Sequence, residues 1–390
     1  VEKPTRPPEQ EFSIPVRFPD RKPFREPANW LAAVAIEAAA PALRAHARIK
    51  TGRASQPREW KRALIAGASH IGDLLYRSAS LERLKAGLPD CEFHYLATPG
   101  SSEVLEGNPA LAGILPWMRS DSSLDIGEGH FEELRGMGFD ALLGINTGKY
   151  WPELLLGLRL GIPNRVGYAH KGFSGWVTYP VPIEYPKPWV AYFRDYVATL
   201  TGQRPDWALR PVIHANAEDE AAAAGLWEAL GLGKHGCVVA CFMTTRQPTG
   251  VWPAGNFGKA LGLLRERTGA RVVLCGSAAD EPLLAGIDRE FGLEAGLVTG
   301  KLGLRALCCF LRRCRLALTT DSGPRHIANA AGIPVYFFRN LRSDPVETGA
   351  YLESETDLCP ATGWLNPEEH AGILAGIAPE WVAEKIGAGV

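Results

Sequence analysis

LTTDSGPRHIANAAGIPV, residues 318–335, decides the fold. Its opening, read with the Leu316-Ala317 before it, is a short buried strand that ends at Thr320. Asp321, Ser322 and Gly323 make a tight turn, and Pro324, with fixed φ and no N–H, suits the first turn of a helix. The helix PRHIANAAG and then the strand PVYFF follow. Strand, turn, helix and strand in so short a span form the unit of a parallel sheet covered by helices.

The same turn can hold an anion. Free N–H groups and the helix dipole at Pro324 attract a phosphate, and Gly323 lets the backbone come close. Ser322 can donate from its hydroxyl, and Arg325 and His326 add donor character. An ordinary strand–helix turn capped by Asp321 would use the same residues, and the local sequence does not separate the two readings.

Outward from this stretch, the second half of the chain repeats the pattern. CVVACFM and RVVLCG, which ends at Gly276, read as strands. NFGKALGLLRERTG, DEPLLAGIDREF and LRALCCFLRRC read as helices. Thr244, Thr245 and Arg246 follow CVVACFM and so lie at the carboxyl edge of the sheet, where ligands of open α/β sheets bind. In the following GVWP, Trp252 reads as core packing. PEWVAEKIGAG, residues 379–389, predicts a last helix able to cross back over the domain boundary.

The first half has the same character. RALIAGAS is a strand that turns through His70, Ile71, Gly72 and Asp73 into the helix LLYRSASLERLKAGL. EFHYLAT and FDALLGIN are further strands, with GIPNRVGY read as a loop. Asp73, at the mouth of the first strand, can act as a general base toward a hydroxyl, or can cap the helix that follows it. Residues 200–220 form a polar, proline-containing bridge. The expected division is an extension over 1–60, two doubly wound domains over 61–212 and 213–377, and a terminal helix over 378–390. The extension combines a Pro-, Arg- and Glu-rich arm over 1–26 with an Ala/Leu-rich helix, capped by Asn29 and broken near Pro41. Arg44, Arg48, Lys50, Arg53, Arg58, Lys61 and Arg62 make a basic stretch against one acid, Glu59; it is either a solvated face or a peripheral membrane contact.

Bulk properties set limits. The 390 residues are 46% hydrophobic, enough for two cores, and the net charge of −1 does not point to nucleic acid. Eight cysteines with no CxxC pair fall mainly in apolar runs, as buried free thiols of a reducing compartment would. No apolar run reaches the ~18–20 residues of a membrane span, and the opening VEKPTRPPEQEF has no signal core, so a cytoplasmic location is expected.

In this order, the segments resemble glycosyltransferase family 9, the heptosyltransferases of lipopolysaccharide assembly. The resemblance runs through IGDLLYRSASLERLKAGLPDCEFHYLA, GIPNRVGY, TTRQPTGVWP, DSGPRH and AAGIPV, over roughly residues 62–385. It implies a GT-B fold and an inverting transfer with no catalytic metal and no cofactor. The implied donor is a nucleotide-diphosphate sugar, ADP-heptose, and the acceptor a glycan, glycolipid, protein or small molecule at the inner face of the cell membrane. Asp73 would be the base. Thr244, Thr245, Arg246, Gly276, Asp321, Ser322, Gly323, Pro324 and His326 would form the donor site. The family's lysine between the Thr pair and Trp-Pro is missing from RQPTGV, which leaves Arg246, Lys301 or Arg325 for the donor phosphates. A sugar-nucleotide epimerase or hydrolase of the same architecture, or a non-catalytic binding protein, remains open at this point.

Overall fold

Apolar runs too short for helices and bounded by small or polar residues become the strands here, and the amphipathic runs between them become the covering helices. The protein is described from a computed structural model that covers residues 27–67, 70–116, 128–147, 151–168, 172–245 and 251–390. The arm over 1–26 and Arg246 lie outside the described residues.

Helices α1 (Pro27–Ala38) and α2 (Ala40–Thr51) precede the first sheet. The break between them falls at Ala39, with Pro41 in the first turn of α2, as the sequence predicts; α1 starts at Pro27, two residues before the expected cap Asn29. The pair packs on a short turn, Ser174–Trp176, where Glu37 receives hydrogen bonds from Ser174.

The first half then runs β1 (Arg62–Ala66), α3 (Ile71–Gly87), β2 (Glu92–Ala97), β3 (Gly113–Pro116), α4 (Glu128–Gly136) and β4 (Ala141–Gly144). It continues with α5 (Trp151–Arg159), β5 (Asn164–Tyr168), β6 (Tyr179–Val181) and α6 (Trp189–Thr201). The segment GIPNRVGY, expected as a loop, contains β5. Its polar residues conceal a strand because their needs are met locally: Arg165 donates to the carbonyls of Ile162, Pro163 and Trp176, and Asn164 to that of Asp140.

The second half runs α7 (Ala217–Ala229), β7 (Val238–Phe242), α8 (Ala254–Thr268), β8 (Arg271–Gly276), α9 (Glu281–Phe291), β9 (Gly296–Thr299) and α10 (Leu304–Leu311). It ends with β10 (Leu316–Thr320), α11 (Gly323–Ala331), β11 (Val335–Phe338), β12 (Glu355–Asp357), α12 (Pro367–Ala375) and α13 (Pro379–Gly387). Helix α13 packs on α8, within its own half; the expected crossing back is corrected by this contact. Val382, Ala383 and Ile386 form the buried face that holds it there.

Among the described residues the strands form two six-stranded sheets, β3-β2-β1-β4-β5-β6 and β12-β11-β10-β7-β8-β9, parallel throughout. Counted from its own first strand, each sheet has the order 3-2-1-4-5-6 of a Rossmann unit. One apolar cluster is shared between the halves, with Leu74 and Tyr95 from the first and Cys308, Phe310 and Ile327 from the second. Of the cysteines, Cys91, Cys241, Cys275, Cys308, Cys309 and Cys314 are buried, all eight are unbridged, and burial pushes the thiols up, that of Cys91 to about 12. No described helix is long and apolar enough to cross a membrane.

Candidate active site

A parallel sheet opens a crevice where its strand order reverses, because the helices after the two central strands leave on opposite faces. Here the reversals fall between β1 and β4, and between β7 and β10. Asp73 belongs to the first. Thr244, Thr245, Asp321 and Ser322 belong to the second.

At the first crevice lies a cavity of about 350 Å³, lined by Asp73, Tyr76, Arg77, Asn146, Tyr192 and Thr348, among others. That volume is at the lower end of small-molecule sites. Asp73 sits in the first turn of α3 with its side chain 42% exposed; His70, not Asp73, is the residue preceding the helix in extended conformation. The carboxylate is therefore free of the capping bond that the sequence also allowed. Buried Arg77, one helical turn on, lies 3.7 Å from Asp73 Oδ1 and donates to the carbonyls of Asp73 (2.5 Å) and Ile145 (3.2 Å). It ties the Asp73 turn to the end of β4.

The cavity is closed by the other half. The Tyr192 hydroxyl donates to Glu347 Oε1 at 2.7 Å, and the N–H of Trp189 donates to the carbonyl of Glu347 at 3.1 Å. Thr348 follows in the lining.

At the second crevice, Thr244 and Thr245 are half-buried just past β7. The Thr320 hydroxyl approaches the Thr244 carbonyl at 3.5 Å and the Ser322 hydroxyl at 3.0 Å. Ser322 precedes α11 in extended conformation but gives it no side-chain cap, and Gly323 and Pro324 form the first turn. Gly323 lies against α3: a Cβ there would stand 3.0 Å from Ile71 Cβ. Gly276 ends β8 and packs on the turn after it, with 3.0 Å from a would-be Cβ to Asp280 and its carbonyl accepting from Gly300.

Asp321 and Arg325 serve differently from the sequence expectation. Asp321 is not a helix cap; it accepts from Arg325 Nη1 at 2.9 Å and from the Asn340 N–H at 3.3 Å. The Arg325 side chain is fully buried. It also donates to Glu355 Oε1 (2.6 Å) and to the carbonyls of Thr348 (2.8 Å) and Gly349 (2.6 Å), with its guanidinium 3.5 Å from the Phe337 ring centre. Burial works against its charge, but Asp321 and Glu355 outweigh that and hold it protonated. Arg325 thus anchors the segment carrying Thr348, the roof of the cavity, with four of its five N–H donors engaged inside the protein. Lys301 is exposed and donates to the Leu297 carbonyl.

His326 is 3% exposed and meets the first half directly. Its ring lies 4.4 Å from that of Tyr76, centre to centre, and its Nδ1 is 2.9 Å from the Tyr351 hydroxyl. Burial, reinforced by the charge of Arg325, holds it well below the usual histidine value, so the ring is neutral near pH 7. Trp252 is fully buried, stacked on Phe338 and donating to the Ile377 carbonyl, as core packing requires.

The sequence reading missed Arg77, Tyr192, Thr348, Tyr351 and Glu355. Only Arg77 carried a local signal, the Asp73–Arg77 spacing on one helix face. Among the described residues, no three His, Cys, Asp or Glu side chains are grouped to hold a metal ion.

Comparison with known proteins agrees with this fold. The chain is 24% identical over 294 residues to lipopolysaccharide heptosyltransferase 2 of Escherichia coli K12, covering 70% of this chain and 80% of that protein. Its fold matches a family 9 glycosyl transferase from Veillonella parvula (TM-score 0.73, 19% identity, 84% of this chain and 97% of that one). It also matches the E. coli ADP-heptose lps heptosyltransferase II (TM-score 0.65, 21% identity, 84% and 98%). These likenesses make the fold GT-B. The family model for glycosyltransferase family 9 (heptosyltransferase) matches residues 129–372, and the chain belongs to that family.

Proposed function

We propose that this glycosyltransferase moves a heptose from an ADP-linked donor to an acceptor hydroxyl, with inversion and without a catalytic metal. The first half takes the acceptor and the second the donor nucleotide. Asp73 is the general base. It removes the proton of the acceptor hydroxyl as oxygen attacks the anomeric carbon, and the nucleoside diphosphate departs toward the second crevice. Thr244, Thr245, Ser322, Gly323 and His326 line that crevice, with Pro324 beside them, and their N–H and O–H groups stabilise the departing charge; Arg246 is a further candidate for the donor phosphates from the sequence alone. Asp321 acts through Arg325, and Gly276 shapes the floor.

The observation that carries this reading is the half-exposed Asp73 carboxylate inside a cavity at one chain reversal, roofed by the half that bears the other. The names of the E. coli relatives support heptose and ADP. An acceptor in a lipopolysaccharide pathway would put the enzyme at the inner face of the cell membrane. Exposed Arg44, Arg48 and Lys50 on α2, with Ile49 86% exposed among them, suit such a contact.

Asp73→Asn tests the reading. The variant should bind ADP-heptose as the wild type does and lose transfer by about a hundredfold or more. Full transfer would remove Asp73 from the role, and acceptor-independent donor turnover by the wild type would replace transfer with hydrolysis or epimerisation.

A further inference from the structure

Behind His326 lies a chain of buried polar groups that the proposed chemistry does not use. Glu355, with a fully buried side chain, accepts at Oε1 from Arg325 and from Asn329 Nδ2 (2.9 Å), and at Oε2 from the N–H groups of Tyr351 (2.8 Å) and Leu352 (3.3 Å). Asn329, also fully buried, donates from the same Nδ2 to the Tyr351 hydroxyl at 2.7 Å. That hydroxyl is 2.9 Å from His326 Nδ1.

The direction of these bonds follows from the acceptor-only end. Turning the Asn329 amide over would set its oxygen against the Glu355 carboxylate, so the NH₂ must face both Glu355 and Tyr351. The Tyr351 oxygen then accepts from Asn329, and among the described residues the acceptor within reach of its own proton is His326 Nδ1. Nδ1 therefore accepts and the single ring proton sits on Nε2. Nε2 is aimed at the Asp73 turn: it lies 3.3 Å from where a Cβ on Gly72 would stand.

We propose that Tyr351, oriented by Asn329 and Glu355, is a positioning residue that locks His326 as an uncharged Nε2–H donor at the junction of α3 and α11. The proposal rests on the function above, in which the ligand of this donor is an oxygen of the departing diphosphate. A neutral donor holds that oxygen before and after the glycosidic bond breaks, and it does not trap the product as a fixed cation would. Nothing in the relay is a charge facing the cleft, since Glu355 is fully buried against Arg325 behind it.

The test is nitrogen-15 NMR of the histidine rings at pH 7.5, with the His326 signals assigned by their loss in His326→Gln, together with kinetics of Tyr351→Phe. That variant keeps the ring that packs on Tyr76 and removes the hydroxyl alone. We expect the wild-type ring to show a protonated Nε2 and an unprotonated Nδ1. In Tyr351→Phe we expect a mixture of tautomers, with kcat down about tenfold and donor KM changed by less. A wild-type ring protonated at Nδ1 or at both nitrogens would overturn the proposal, as would a Tyr351→Phe enzyme with unaltered spectrum or kcat. Absence of transfer from ADP-heptose by the wild type would overturn the functional reading instead, because the spectrum is recorded without substrate.

Discussion

The imidazole of His326 rests on the backbone of Gly72: a Cβ added at Gly72 would stand 2.9 Å from Cδ2 of the ring. A larger residue there requires the His326 ring or the α3–α11 contact to shift. Gly72, next to Asp73, is thus one of the points at which one half of the molecule bears on the other.

Gly72→Ala should separate the two helices. An overpacked contact of this kind costs about 1–3 kcal/mol, to be read from urea unfolding, and transfer should fall more than donor binding. Adding His326→Ala should recover part of the stability, because the clash needs both partners. Additive losses in the double variant would show that the two residues do not press on each other.

Arg325→Met should be among the most damaging single changes. It leaves the Glu355 carboxylate buried beside Asp321 with their cation gone, and breaking such a pair costs about 3–5 kcal/mol. Because the same side chain holds the Thr348 and Gly349 carbonyls, proteolysis should begin in the 340–352 segment. A variant unfolding at the wild-type urea midpoint would contradict the anchoring role.

Arg77→Met should leave donor affinity intact and reduce transfer, by about tenfold if one charge-assisted bond orients the Asp73 turn. Its contacts are with the Asp73 and Ile145 carbonyls, none of them in the second half. Equal losses in ADP binding and in turnover would refute that separation.

Acid should loosen the fold before the carboxylates titrate. Burial lowers His326 with help from Arg325, lowers His94 with help from Arg62, and lowers His370 with help from Arg342 and Arg339. In the unfolded chain these rings titrate near 6.5. Below that pH the unfolded state holds the extra protons, so stability is complete above about pH 6.5 and drains away as the pH falls toward the folded-state values. Urea midpoints at pH 7.5 and 5.5 should differ accordingly, and His326→Gln should narrow the difference; an unchanged gap would mean that His326 is not buried neutral.

The second half was easy to read because Val238–Phe242, Leu316–Thr320 and Val335–Phe338 are nearly unbroken apolar runs, as strands covered on both faces must be. The first half hid β5 behind Asn164 and Arg165, whose polarity is satisfied by nearby carbonyls and so leaves no trace in a hydrophobic pattern. Asp73 and Ser322 could be found because they follow strands, and the end of a strand is where this fold puts ligands. Tyr351 and Glu355 could not, since they reach His326 only by a return of the chain that no local spacing records. The burial of Arg325 was hidden for the same reason: Asp321 is local, but its second carboxylate, Glu355, comes 30 residues later.

The outermost strands of the two sheets, β3, β6, β9 and β12, are only three or four residues long. Each offers too few unpaired backbone groups to template a neighbouring chain. Edges this short disfavour growth by strand addition into fibres.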